Sequence, residues 1–207
     1  MNDRMSDVMK LIHGYAWMVT ERISAGWKPT LITVMFNHLP GSEVNVSTTM
    51  RGEVERIYDG LVTYNIRNAR STPNEDLPMW ICCPDYAVYK RDRQHFANIA
   101  QNDGRHYHII ALTPPWTRLN TELWQFIANM HDKLRGTENL VSHIHARSIE
   151  DNPEFVVDYG MKSIKTRRVS QEEVLILPRA KSELPLRKDA RADRLSRLEA
   201  GVATTRQ

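Results

Sequence analysis

Apolar residues recur at Val8, Leu11, Ile12, Tyr15, Val19 and Ile23, the spacing of one helix face, and predict a helix over residues 6–25 that Gly26 stops. Residues 30–36, TLITVMF, are β-branched and apolar without interruption, as in a buried strand, and Leu39-Pro40-Gly41 breaks it. The helical period returns over residues 47–67 through Met50, Val54, Ile57, Leu61 and Tyr64, with Ser47 or Thr48 as the expected cap. Residues 71–77 are a polar loop. A strand is expected at 78–83 and another at 86–90, after Pro84-Asp85. The polar stretch 91–105 reads as a short helix ending in the turn Asn102-Asp103-Gly104.

Residues 105–112, RHYHIIAL, read as a central strand closed by Thr113-Pro114-Pro115. A helix over 120–134 follows, capped by Asn120, with Leu123, Ile127, Met130 and Leu134 on one face. Residues 140–149, LVSHIHARSI, read as a further strand. Asn152-Pro153 then starts a helix that runs to about Thr166. Residues 173–178 form a last strand or a turn. The order α-β-α-β-β-β-α-β-α implies an α+β fold: a largely antiparallel central sheet with helices packed on one face. Residues 1–29 are an N-terminal helix, 30–178 the main domain and 179–207 a basic tail.

Composition narrows the class. Apolar residues make up 41% and charged residues 26%, the balance of a globular chain. No run of 18 apolar residues exists, and the N-terminal residues lack the charged-then-apolar pattern of a secretory signal, so a cytoplasmic protein without a membrane partner is expected. Cys82 and Cys83 are adjacent in the apolar stretch MWICC and read as two buried thiols; they build neither a zinc pattern nor a disulfide framework. The net charge of +3 says little, but residues 161–198 hold 11 Lys/Arg against 5 Asp/Glu. Lys165, Arg167 and Arg168 in this segment are candidate contacts for nucleic-acid phosphates.

Two short patterns carry chemistry. In a strand, residues two apart project to the same side, so His106 and His108 can share one metal ion, held rigid by the apolar run Ile109-Ile110-Ala111-Leu112. On a helix, residues three apart share a face, so Tyr159 and Lys162 are presented together while Val157, Met161 and Ile164 pack on the sheet. His143 and His145 repeat the His-x-His spacing without the long apolar tail. They are a candidate second site, or plain strand histidines.

A strand at 30–36, the His-hydrophobe-His strand HYHIIAL and then a helix with YGMK resemble, in that order, the HUH endonucleases, above all the rolling-circle replication initiators with one catalytic tyrosine. LITVMFN stands in the place of that family's first strand motif, and the likeness spans roughly residues 30–168. The resemblance implies a ferredoxin-like or RRM-like nuclease fold and a divalent metal, Mg²⁺ or Mn²⁺, on His106 and His108. It implies that Tyr159 attacks a phosphodiester of single-stranded DNA or of an origin hairpin and forms a 5′-phosphotyrosine link, with Lys162 orienting the tyrosine or the phosphate. Family members add an acidic or amide ligand, and Asp85, at the end of the strand before the histidine strand, takes that place; its other reading is a turn residue after Pro84. No Gly-x-x-x-x-Gly-Lys-Ser/Thr stretch is present, so a helicase would be supplied by the host in trans.

Four other readings compete with a replication initiator, the plainest being an ordinary α+β domain in which the short motifs are fortuitous. A second is a transposase- or relaxase-like nickase. Another is a two-histidine phosphoesterase, against which both motifs count by reading His-x-His where that class has His-x-Thr/Ser. The last is a non-catalytic DNA-binding or regulatory module of the same fold.

Overall fold

Strand β1, Lys28–Phe36, shows why the sheet is covered on both sides. Successive side chains point to opposite faces. Ile32, Val34 and Phe36 enter one apolar cluster and Leu31 enters another. Strands β2, Met79–Asp85, and β3, His106–Thr113, repeat the pattern. Trp80, Cys82, Tyr107, Ile109 and Ala111 face the first cluster, and Met79, Ile81, Ile110 and Leu112 the second. Strands apolar on both faces need cover on both. The computed structural model describes residues 2–86, 104–150 and 152–179.

The five strands, completed by β4 (Val141–Ser148) and β5 (Leu175–Leu177), lie in the order β4-β1-β3-β2-β5, every neighbouring pair antiparallel. Between the strands lie α2 (Glu43–Asn65), α3 (Leu123–Asn129) and α4 (His131–Arg135). The path β1-α2-β2-β3-α3-α4-β4 with strand order 4-1-3-2 is the split-βαβ, ferredoxin-like arrangement, to which β5 adds an edge. The α+β fold with an antiparallel sheet therefore holds. Val46, Met50, Val54, Ile57, Leu123, Ile127 and Leu134 from α2, α3 and α4 cover the first face.

The expectation that the helices lie on one face is corrected. Helix α1, Asn2–Ser24, and helix α5, Pro153–Gly160, cover the second face with Ile12, Ala16, Val19 and Val157. A short α6, Lys162–Lys165, follows. As expected, Val157, Met161 and Ile164 are buried. The cover of this face is uneven. Ladder pairing sets Met79 beside Leu112, and Ile110 between Ile81 and Leu31, in apolar rows. The next two rows are polar: Cys83–His108–Thr33–His145, then Asp85–His106–Met35–His143.

Several boundaries move, each for a local reason. Helix α2 starts before Ser47 because Ser42 is the cap: its hydroxyl accepts the Asn45 N–H at 3.3 Å, while Thr48 lies inside the helix and donates back to the Val44 carbonyl. The helix expected over 120–134 is two helices; Glu122, not Asn120, forms the capping box with Gln125, and the helix breaks at Met130. The helix holding Tyr159 breaks at Met161, although Asn152 does cap it. Strand β2 runs past Cys83 through Pro84 to Asp85. Proline is tolerated there because β5 pairs only with Trp80–Cys82, leaving no described ladder on that side at Pro84. Cys82 and Cys83 are buried free thiols pointing to opposite faces. The expected strand at 86–90, the polar helix at 91–105 and the tail beyond 179 lie almost wholly outside the described residues. No helix among the described residues is long and apolar enough to cross a membrane.

Candidate metal centre

The register that puts β2 beside β3 makes the centre. Asp85 pairs with His106 and Cys83 with His108, so the carboxylate and both imidazoles rise from one face of adjacent strands. His106 Nε2 lies 3.2 Å from His108 Nε2 and 3.3 Å from Asp85 Oδ2; His108 Nε2 lies 3.5 Å from the same oxygen. Asp85 and His108 are buried, while His106 keeps 18% of its side chain exposed. This cluster of one carboxylate and two imidazoles could hold a metal ion. Strand continuation through Pro84 is therefore what turns Asp85 from a turn residue into a partner of His106.

Each member is held by a further contact. The His106 Nδ1 faces the Gly104 carbonyl at 2.8 Å. A carbonyl only accepts, so Nδ1 carries the proton and, in the neutral ring, the Nε2 lone pair points inward. The His108 Nδ1 lies 3.3 Å from the Thr33 hydroxyl, which can accept its proton and leave that Nε2 free as well. Asp85 Oδ1 accepts the Tyr86 N–H at 2.9 Å and the buried Ser163 hydroxyl. Asp85 Oδ2 is buried and lacks any aligned hydrogen bond, although the Lys162 ammonium stands 2.7 Å away. Two imidazole nitrogens and a buried carboxylate oxygen converge on one point, with the Lys162 ammonium beside them, and this donor set could hold a metal ion.

Burial pushes the Asp85 carboxyl up, but His106, His108, Lys162 and Ser163 outweigh it and hold the group well below the usual carboxylate range. Burial, reinforced by His106 and Lys162 against the pull of Asp85, holds the His108 imidazole below its ordinary value, which keeps the ring neutral and able to ligate. Cys83 lies in the same polar row, but burial first, then the Asp85 charge, pushes its thiol up to about 12, and it stays an inert thiol.

Tyr159 and Lys162 stand on this side of the sheet. The tyrosine ring packs 5.3 Å from the His108 ring, centroid to centroid, and is 40% exposed. The Lys162 ammonium lies 4.6 Å from the tyrosine ring centroid while it contacts Asp85, so it bridges the two. Of the candidate phosphate contacts, Lys165 pairs with Asp158 at 2.8 Å and the Arg168 guanidinium donates to the Tyr86 carbonyl at 2.7 Å. Arg167 is exposed at the helix end with φ 58°.

His143 and His145 are not part of the cluster. They lie in the same two rows, with Met35 and Thr33 of β1 between them and the central histidines. Sequence reasoning missed Ser163, Thr33 and the Gly104 carbonyl, which orient the three candidate ligands. Thr33 was legible in principle, as the one polar residue inside LITVMF. Nothing in the sequence distinguishes Ser163 from a solvent-facing serine. Comparison with known proteins yields no matching family model, no matching curated protein and no matching solved structure.

Proposed function

We propose that this chain is a metal-dependent endonuclease of the HUH type, with one tyrosine, that nicks and rejoins single-stranded DNA, most simply as a rolling-circle replication initiator. The observation that carries the reading is the joint placement of Tyr159 and Lys162 against the Asp85/His106/His108 cluster. Tyrosine, lysine and three candidate metal ligands on one side of one sheet, drawn from four separate segments, are more specific than any of the short motifs alone.

Asp85, His106 and His108 would hold Mg²⁺ or Mn²⁺, which supplies charge withdrawal from the scissile phosphate. The Tyr159 phenolic oxygen attacks phosphorus; the bond from phosphorus to the 3′ oxygen breaks; a 5′-phosphotyrosine and a free 3′-OH result. The phenol gives up its proton to solvent and the departing 3′ oxygen takes one from solvent. A phosphodiester is exchanged for a phosphodiester, so a strand can be rejoined by the reverse attack without ATP. Lys162 lies between the carboxylate and the tyrosine, where its ammonium offsets negative charge developing on the phenolic oxygen and the phosphate. Arg167, exposed beyond α6, is the most available of the three basic residues for the DNA backbone, since Lys165 and Arg168 already have partners. The substrate is single-stranded DNA or an origin hairpin, opened by a host helicase.

The test is incubation with single-stranded DNA and Mn²⁺ followed by a denaturing gel. Wild type is expected to form a covalent protein–DNA adduct that EDTA prevents, and Tyr159→Phe to form none. Full adduct formation by Tyr159→Phe would remove Tyr159 as the nucleophile.

A further inference from the structure

The β4 histidines belong to a second cluster that their His-x-His spacing only half reveals. His131, the first residue of α4, places its Nε2 3.1 Å from the His143 Nδ1, with ring centroids 4.8 Å apart. The His143 and His145 rings stand 6.5 Å apart and within 15° of parallel. His143 and His145 are exposed and His131 is half-buried. We infer that His131, His143 and His145 form a second divalent-metal site, selective for borderline ions such as Zn²⁺ and Ni²⁺ over Mg²⁺ and Mn²⁺.

The distances match that chemistry. Two imidazole nitrogens bound to one ion at about 2.0–2.1 Å are roughly 3.0–3.4 Å apart over the usual coordination angles. The 3.1 Å between His131 Nε2 and His143 Nδ1 falls in that interval. The His131 Nδ1 lies 3.3 Å from the Asp132 carboxylate, which can only accept. The proton therefore sits on Nδ1 and the lone pair on Nε2, the carboxylate–histidine arrangement that orients metal-binding imidazoles. The other neighbour of this Nε2 is the Ile144 N–H at 3.4 Å, a long contact that an ion can replace. His145, on the same side of the strand with its ring 6.5 Å from that of His143, would have to turn toward the pair to supply a third nitrogen.

The donor set separates this site from the central one. Three imidazoles suit Zn²⁺, Ni²⁺ or Cu²⁺, whereas Mg²⁺ and Mn²⁺ favour oxygen ligands of the kind Asp85 provides. The two sites are also distinct in space. Met35 separates His106 from His143 in their row, so two strand spacings, about 10 Å, lie between them. An ion here would tie α4 to the edge strand β4.

Calorimetric titration of the full chain tests this. With Ni²⁺, wild type is expected to bind two equivalents, and His143→Gln and His106→Gln one each. With Mn²⁺, wild type is expected to bind one equivalent that His143→Gln leaves in place. His143 is exposed, so its substitution keeps the fold, which circular dichroism checks. Ni²⁺ is also expected to raise the Tm of His106→Gln, and not of the double variant that adds His143→Gln. Unchanged Ni²⁺ stoichiometry in His143→Gln overturns the edge site and leaves the central one standing. A single equivalent in wild type, lost with His143→Gln alone, upholds the edge site and counts against the central one.

Discussion

Two strands of this protein carry His-x-His on the same face of the same sheet, in the same two cross-strand rows, and they sit in different clusters. The pair on β3 has strands on both sides. Strand β2 brings Asp85 to His106, and β1 brings Thr33 to His108. Among the described residues, the pair on β4 has β1 on one side only, and Met35 and Thr33 are its ladder partners there. Its remaining company comes from α4 and is another imidazole. Identical spacing thus yields a buried carboxylate–imidazole cluster in the middle of the sheet and an exposed all-imidazole cluster at its edge. The difference lies in the neighbouring strand, which supplies or withholds a carboxylate.

The largest expected effect tests that contrast directly. His108→Ala removes a ligand from the central cluster and is expected to weaken Mn²⁺ binding by more than about 100-fold, beyond the range for residues that merely orient a ligand. His145→Ala, at the edge, is expected to shift Mn²⁺ affinity by less than about twofold, because Mn²⁺ prefers the oxygen donor that only the central site has. Titration calorimetry, or the loss of the free Mn²⁺ electron paramagnetic resonance signal, reads both. Comparable losses in the two variants would mean that the pairs serve one ion and that the contrast is false.

How much of this could be read from the sequence follows the same line. The helical periods and the apolar strands were legible, because repeats of 3.6 and 2 are imposed by backbone geometry. The central position of β3 was legible from Ile109-Ile110-Ala111-Leu112, which only a doubly covered strand tolerates. Those same doubly apolar strands also argue for helices on both faces, and the one-face expectation overlooked it. Contacts between distant segments were not legible. The cap at Ser42 and the breaks at Met130 and Met161 are local choices among residues of similar propensity. The partnership of His131 with His143 depends on α4 folding back on β4, and that of Ser163 with Asp85 spans 78 residues.

That last contact carries the second expected effect. Ser163 is fully buried, and its hydroxyl donates to the Asp85 oxygen that does not face the histidines. Ser163→Ala leaves every candidate ligand in place but frees the carboxylate to turn. Orienting partners of this kind are worth about 10–100-fold in metal affinity. A loss in that range for Mn²⁺, with the second Ni²⁺ equivalent retained at the edge, is expected. An unchanged Mn²⁺ affinity would mean that the remaining contacts, from the Tyr86 N–H, Lys162 and the two histidines, suffice to orient Asp85.

Acid provides the smallest and most graded contrast, measured as unfolding free energy against pH in EDTA. Burial, with His106 and Lys162, lowers the His108 pKa in the folded state below the unfolded value near 6.5. A group with a depressed folded pKa contributes stability that is fully present above the unfolded pKa. That contribution is lost as pH falls toward the folded pKa, because the unfolded chain takes up the proton first. Asp85 is depressed as well, so its contribution is present above the ordinary carboxylate range and fades below it. Wild type is therefore expected to lose stability in two acid steps, the first beginning near pH 6.5. His108→Gln is expected to flatten that first step, and Asp85→Asn the later one. The His143 pKa is lowered too, but its ring is exposed and solvent-screened, so His143→Gln is expected to alter the first step less than His108→Gln does. If His143→Gln flattened the first step more than His108→Gln, the edge cluster would be the strained one, and the distinction drawn between the centre and the edge of the sheet would have to be reversed.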